Sequence, residues 1–131
     1  MEKLFFVCLL FLGWLLFNSN NTSNAEWTAP PWTDTLKNPF ADNVKAIAEG
    51  KKIYENACWT CHGINGKGDG PAAKTINPKP ADHTSEKVLK QSDGALFWKI
   101  TKGNGLMAGY EKIYSKQQRW KIVSYLRKLK K

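Results

Sequence analysis

With 131 residues, 42% of them hydrophobic and 24% charged, and a formal net charge of +9, the chain has the dimensions of one small domain with a basic surface. That composition excludes a disordered polymer. The first predicted element is a leader: Met1, Glu2 and Lys3 form a weak basic start, residues 4–17 are an uncharged apolar run of fourteen, and residues 18–25 are polar and end in Ser23-Asn24-Ala25. This is the pattern of a secretory signal peptide over residues 1–25, cut after Ala25. Fourteen apolar residues fall short of the roughly twenty a bilayer span needs, which favours cleavage over the alternative, an uncleaved N-terminal membrane anchor. Cys8 lies inside the run and leaves with it. The cut leaves 106 residues from Glu26, with Cys58 and Cys61 as the cysteines and no stable membrane span; because one Lys and one Glu depart, the charge stays at +9.

Residues 26–40, with Pro30, Pro31, Pro39, Trp27 and Trp32, show neither helical nor alternating periodicity and read as an extended arm. Its tryptophans either cover the body or dock on a partner. The domain proper is predicted over residues 41–131. A helix is expected over residues 42–57, where Ala46, Ile47, Gly50, Ile53, Tyr54 and Ala57 share one side and Lys45, Glu49, Lys52, Glu55 and Asn56 the other. Gly50 costs about 1 kcal/mol against alanine inside a helix, so its place on the buried side predicts close approach of another helix. From Gly63 to Thr84 seven glycines and prolines (Gly63, Gly66, Gly68, Gly70, Pro71, Pro78 and Pro80) predict loop. A short helix follows at 85–90, and Asp93 is predicted to cap another that ends at Gly103 and buries Leu96, Phe97 and Ile100. Ser115 and Gln118 make a capping box for a last helix carrying Ile122, Val123, Tyr125, Leu126 and Leu129 on one stripe, with Trp120 off it. Two amphipathic helices around a loop-rich middle give an all-α domain.

The chemistry lies in Cys58-Trp59-Thr60-Cys61-His62, a Cys-x-x-Cys-His sequence that reads as a c-type haem attachment site. Two thiols at this spacing can each add to a vinyl group of one porphyrin, and the adjacent imidazole then reaches the iron. A thioredoxin-like dithiol is the first alternative, but no β-branched strand pattern lies beside the motif. Zinc is the second. It needs about four ligands, and only Cys58, Cys61, His62 and His83 are at hand. Asp69 between two glycines is one carboxylate, too few for calcium. Beyond the leader Met107 is the one methionine, and a lone methionine in a loop is more often gap-filling core than ligand.

These residues resemble the class I monohaem cytochromes c. Gly50-Lys51-Lys52-Ile53-Tyr54-Glu55-Asn56-Ala57 is similar to the family's first helix leading into the haem motif, Gly105-Leu106-Met107-Ala108-Gly109-Tyr110 to its distal-ligand loop, and residues 120–129 to its closing helix. Ala108 departs from the proline many members carry. The resemblance implies a small cytochrome c-type domain whose N- and C-terminal helices pack crosswise around the haem, with Gly50 near Tyr125. It further implies one covalently bound haem c, its iron held by His62 proximally and Met107 distally. The Gly70-Pro71 backbone would accept the second ring N–H of His62, which places Pro71 in the haem site; His83 is the competing distal ligand. A six-coordinate iron with no open position suits a one-electron carrier rather than an enzyme. The alternative, a gas sensor or peroxidase-like enzyme, requires Met107 to dissociate, and Tyr110 and Glu111 are its candidate acid/base groups. The expected partners are redox proteins in the bacterial periplasm, with acidic docking faces for Lys67, Lys74, Lys79, Lys99, Lys102 and Lys112. The expected role there is that of a free carrier or of a subunit of a larger respiratory complex. No nucleic acid is expected, since export separates the protein from it.

Overall fold

Five helices and no strand make up the regular structure among residues 26–129, the residues that the computed structural model describes. The predicted leader, residues 1–25, lies outside them. Helix α1, Val44–Ala57, starts where Asn43 accepts a hydrogen bond from the Ala46 N–H at 2.9 Å, and it buries Ala46, Gly50 and Tyr54. At the other end of the chain α5, Lys116–Leu126, opens on the expected capping box, Ser115 and Gln118 each satisfying the other's backbone N–H. Its inner side carries Trp120, Ile122, Val123 and Leu126 into the core.

These two helices make the most extensive contact between elements, and Gly50 is the reason they can. A Cβ at this position would sit 1.9 Å from the Lys121 carbonyl oxygen, so the backbones touch there. The contact falls one turn earlier than the expected Tyr125. A tyrosine ring needs side-chain room that a backbone contact does not leave, and Tyr125 packs against Tyr54 instead, ring centroids 5.3 Å apart. Beside the contact Lys121 pairs with Glu49.

Two short helices and one longer one complete the set: α2, Trp59–His62; α3, Glu86–Leu89; and α4, Asp93–Lys102. The cap of α4 is Ser92, whose hydroxyl accepts from Ala95 N–H at 3.1 Å, one position before the predicted Asp93. Asp93, released from capping, sits in the negatively favoured first turn and accepts from Arg127 Nε at 2.7 Å, tying α4 to the end of α5.

The arm departs from a fully extended course. Pro31–Thr35 forms one turn of 3₁₀ helix whose Thr33 carbonyl lies where a Cβ on Gly94 would be, 1.8 Å away. Asn38 Nδ2 donates to Ser124 Oγ at 3.0 Å, and that hydroxyl donates to the Phe40 carbonyl, also at 3.0 Å. Trp27 lies against Trp98, so this tryptophan covers the body, whereas Trp32 is 57% exposed. Trp120, off the stripe of α5, stacks on Phe97 of α4 with ring centroids 4.1 Å apart. Among the described residues no helix is long and apolar enough to cross a membrane.

Candidate haem attachment site

Helix α1 delivers the motif without a break. Cys58 N–H still donates to Tyr54 O at 2.9 Å, and His62 N–H then donates to Cys58 O at 2.9 Å, so both cysteines and the histidine ride on one continuous right-handed turn. The thiols are free and half-buried. Burial pushes the Cys58 thiol up to about 12, with Cys61 a lesser cause. An un-ionised thiol is the wrong state for dithiol exchange, which attacks as thiolate. It is compatible with thioether formation, where S–H adds across a vinyl bond and leaves an apolar sulfur in an apolar place.

The loop after the motif turns back beneath it. A Cβ on Gly70 would lie 2.3 Å from the Thr60 carbonyl oxygen, so only glycine lets this strand of loop press against α2. Gly70 O then accepts from Ala73 N–H at 2.9 Å, and Pro71–Thr75 forms a 3₁₀ turn that carries the chain away, with Pro71 exposed. The acceptor for His62 therefore comes from further on. His62 Nδ1 meets the Ala81 carbonyl oxygen at 3.0 Å, which corrects the assignment to the Gly70-Pro71 backbone. With Nδ1 donating to this carbonyl, Nε2 is the nitrogen left for a metal. Burial lowers the pKa of the His62 imidazole, against the opposing pull of the Ala81 carbonyl, and so favours the neutral, ligating form.

His83 stands beside His62 rather than across from it. The two rings are stacked, centroids 4.3 Å apart and planes 26° from parallel. Rings in face contact leave no room for a porphyrin between them, so this placement does not fit bis-histidine ligation. The His83 ring is held neutral by burial first and by His62 second, which bring its pKa down to about 3. Its Nδ1 is buried without a hydrogen-bond partner.

Met107 is half-buried and packs, like Cys58, against the core that includes Tyr54, Leu96, Ile100, Ile122 and Leu126. Its loop is built on the end of α4. Asn104 and Met107 exchange both backbone hydrogen bonds, at 2.9 and 3.0 Å, and Tyr110 N–H donates to Ile100 O at 3.0 Å. The Tyr110 hydroxyl crosses to the Ala57 carbonyl at 3.0 Å, linking the loop to the residue just before Cys58. Both candidate acid/base groups of the alternative reading are thus engaged: Tyr110 by Ala57, with burial pushing its phenol up to about 12, and Glu111 by Lys102 at 2.8 Å, which lowers its carboxyl.

The donor set fits a covalent haem c: two free thiols one turn apart, an imidazole aimed by a carbonyl, and a thioether against the same apolar core. Among the described residues no three His, Cys, Asp or Glu side chains converge as a metal cage. Of the six lysines expected around the site, Lys99 donates to Gln91 and lies over the Trp27 ring, and Lys102 pairs with Glu111. Lys67, Lys74, Lys79 and Lys112 are exposed, without an ion pair among the described residues. Ala81 and His83 were missed as neighbours of His62 because nothing in their spacing sets Pro80-Ala81 apart from Gly70-Pro71. Only the 3₁₀ turn at Pro71–Thr75 does so.

Comparison with known proteins agrees with this geometry. The family model for cytochrome c matches residues 47–130. Among solved structures, a chain of the Kuenenia stuttgartiensis reducing HAO-like protein complex Kustc0457/Kustc0458 is similar, with a TM-score of 0.63 and 32% sequence identity over 73% of this chain and 47% of that one. The chain thus spans about half the length of that relative. No curated protein matches the sequence.

Proposed function

The chain belongs to the cytochrome c family, and from that premise we propose that it is a one-electron carrier of the bacterial periplasm whose haem iron would be held by His62 and Met107. As a family member it carries covalently bound haem c with iron and is an electron-transfer protein. The haem supplies a centre that stores and releases one electron between the ferrous and ferric states. Everything else falls to the chain's own residues. Cys58 and Cys61 would anchor the group by thioethers, His62 would present Nε2 with its tautomer set by the Ala81 carbonyl, and Met107 would offer a soft thioether, a ligand type that raises the potential.

The observation that carries this reading is the placement of Cys58 and Met107, forty-nine positions apart in the sequence, against one core. That core gives the site an apolar wall, and ligands held in both oxidation states would mean little rearrangement when charge changes. The engagement of Tyr110 and Glu111 speaks against the peroxidase-like alternative, since neither is free to move a proton at an open iron. The HAO-like complex in which the similar solved chain occurs supports a carrier that docks on, or is a subunit of, a larger redox assembly. The exposed Lys67, Lys74, Lys79 and Lys112 favour an acidic partner face. The leader at residues 1–25, if cleaved, brings the protein to that compartment.

The test is the optical spectrum of the purified protein, oxidised and reduced, extended to the near-infrared band of sulfur-to-ferric-iron charge transfer. Covalent c-type bands, that charge-transfer band, and slow or incomplete carbon monoxide binding by the reduced form at neutral pH are expected. Rapid, complete carbon monoxide binding would sink the closed-site carrier.

A further inference from the structure

The segment that supplies the carbonyl for His62 carries a second device two residues later. Ala81 O accepts from His62 Nδ1 at 3.0 Å, and the His83 ring then lies face to face with the His62 ring at 4.3 Å. This segment is braced. Asp82 Oδ1 accepts from both Thr84 N–H, at 2.7 Å, and Thr84 Oγ1, at 2.6 Å, and Thr84 is 2% exposed. His83 N–H donates to Gly66 O at 2.6 Å, and Tyr54 meets the His83 ring edge-on, centroids 6.0 Å apart and planes at 70°. Tyr54 is itself fixed, fully buried with its hydroxyl donating to Gly63 O at 2.8 Å. The His83 ring is therefore held by its backbone and by packing against His62 and Tyr54. No hydrogen bond from Nδ1 shares in that.

An imidazole bound to a metal through one nitrogen can still turn about that bond. One hydrogen bond from Nδ1, which lies off that axis, aims the ring but restrains the turn of its plane only softly. A flat ring packed on its face removes that freedom. We propose that His83 is a positioning residue whose ring face, acting with the Ala81 carbonyl, sets the plane of the His62 imidazole relative to the haem. The plane of an axial imidazole decides which iron orbital holds the unpaired ferric electron, so it appears directly in the magnetic spectra.

The proposal rests on His62 being the proximal ligand, and the experiment separates the two. Proton NMR of the haem methyls and low-temperature EPR are recorded on the ferric haem-loaded full chain and on His83→Phe and His83→Leu. The Phe variant keeps a flat face and should retain the wild-type order and spread of the four methyl shifts. The Leu variant keeps apolar volume without a flat face, and should reorder or compress those shifts and displace the g-values, at unchanged covalent haem content. In the diamagnetic ferrous wild-type protein, cross-relaxation between the His62 and His83 ring protons is expected, a readout that requires no variant. Its absence, a Leu variant spectrally like wild type, or a Phe variant altered as Leu is, overturns the proposal alone. A wild-type ferric spectrum without low-spin imidazole ligation overturns the assignment of His62 and the proposal with it.

Discussion

The two candidate iron ligands, His62 and Met107, are held in different ways. His62 sits on a helical turn continuous with α1, with the Ala81 carbonyl on its nitrogen and the His83 ring on its face, and the loop that supplies both is itself hydrogen-bonded to Gly66. Met107 lies in a loop whose Asn104, Gly105, Leu106, Ala108 and Gly109 are all exposed, fastened by its own Asn104–Met107 bridge and by Tyr110. His62 is held by neighbours on several sides; Met107 is held from the ends of its loop. Local opening free energies follow the density of such contacts, so the Met107 loop is expected to yield first.

The largest effect that would break this comparison is at the covalent anchor. Cys58→Ser or Cys61→Ser should remove one thioether, and His62→Ala should abolish normal low-spin haem; mass spectrometry and the optical spectrum check both. Next comes the scaffold that the proximal side depends on. Gly50→Val places side-chain atoms on the Lys121 carbonyl and should cost roughly 3 kcal/mol or more, at the upper end of overpacking penalties, read as a fall in the denaturation midpoint. If α1 and α5 tolerated valine at full stability, the backbone contact would not be what aligns them.

Met107→Ala should be milder for stability and sharper for function. The haem should remain covalently attached, the near-infrared band should vanish, and the potential should fall by a sizeable part of the roughly 0.8 V range that axial ligands command, measured by redox titration. Smaller still is Tyr110→Phe, which deletes the hydroxyl bond to Ala57 and should cost about 1 kcal/mol. Under rising denaturant its charge-transfer band should disappear earlier than in wild type, ahead of global unfolding. An equal effect on both would mean that the loop does not open separately.

The smallest effect is a pH dependence. Burial raises the phenol of Tyr54 and brings that of Tyr110 up to about 12. A folded-state pKa above the unfolded value of about 10 gives stability that is complete below pH 10 and lost as pH rises through the folded value. Ultraviolet titration of the folded protein should therefore show both phenols ionising late, and stability should decline above pH 10. Early ionisation of Tyr110 would show the distal loop already open.

The sequence by itself determined what periodicity and local chemistry can encode. The two long helices were legible because Ala46, Gly50 and Tyr54, and Ile122, Val123 and Leu126, recur at helical spacing, the second set behind the Ser115–Gln118 box. The attachment motif was legible because its three groups lie within five residues. Tertiary structure alone decided what depends on distance between remote segments. It moved the helix contact to Lys121, since only coordinates show which turn of α5 faces a bare backbone. It moved the α4 cap from Asp93 to Ser92, because Asp93 is claimed by Arg127, thirty-four residues away. Above all it gave His62 the carbonyl of Ala81 and the ring of His83, after the turn at Pro71–Thr75 had used the nearer carbonyl of Gly70 and led the chain past it. A loop with many glycines and prolines announces that it will bend, but which carbonyl ends beneath a ligand is fixed by the sum of its turns, and no single residue records that sum.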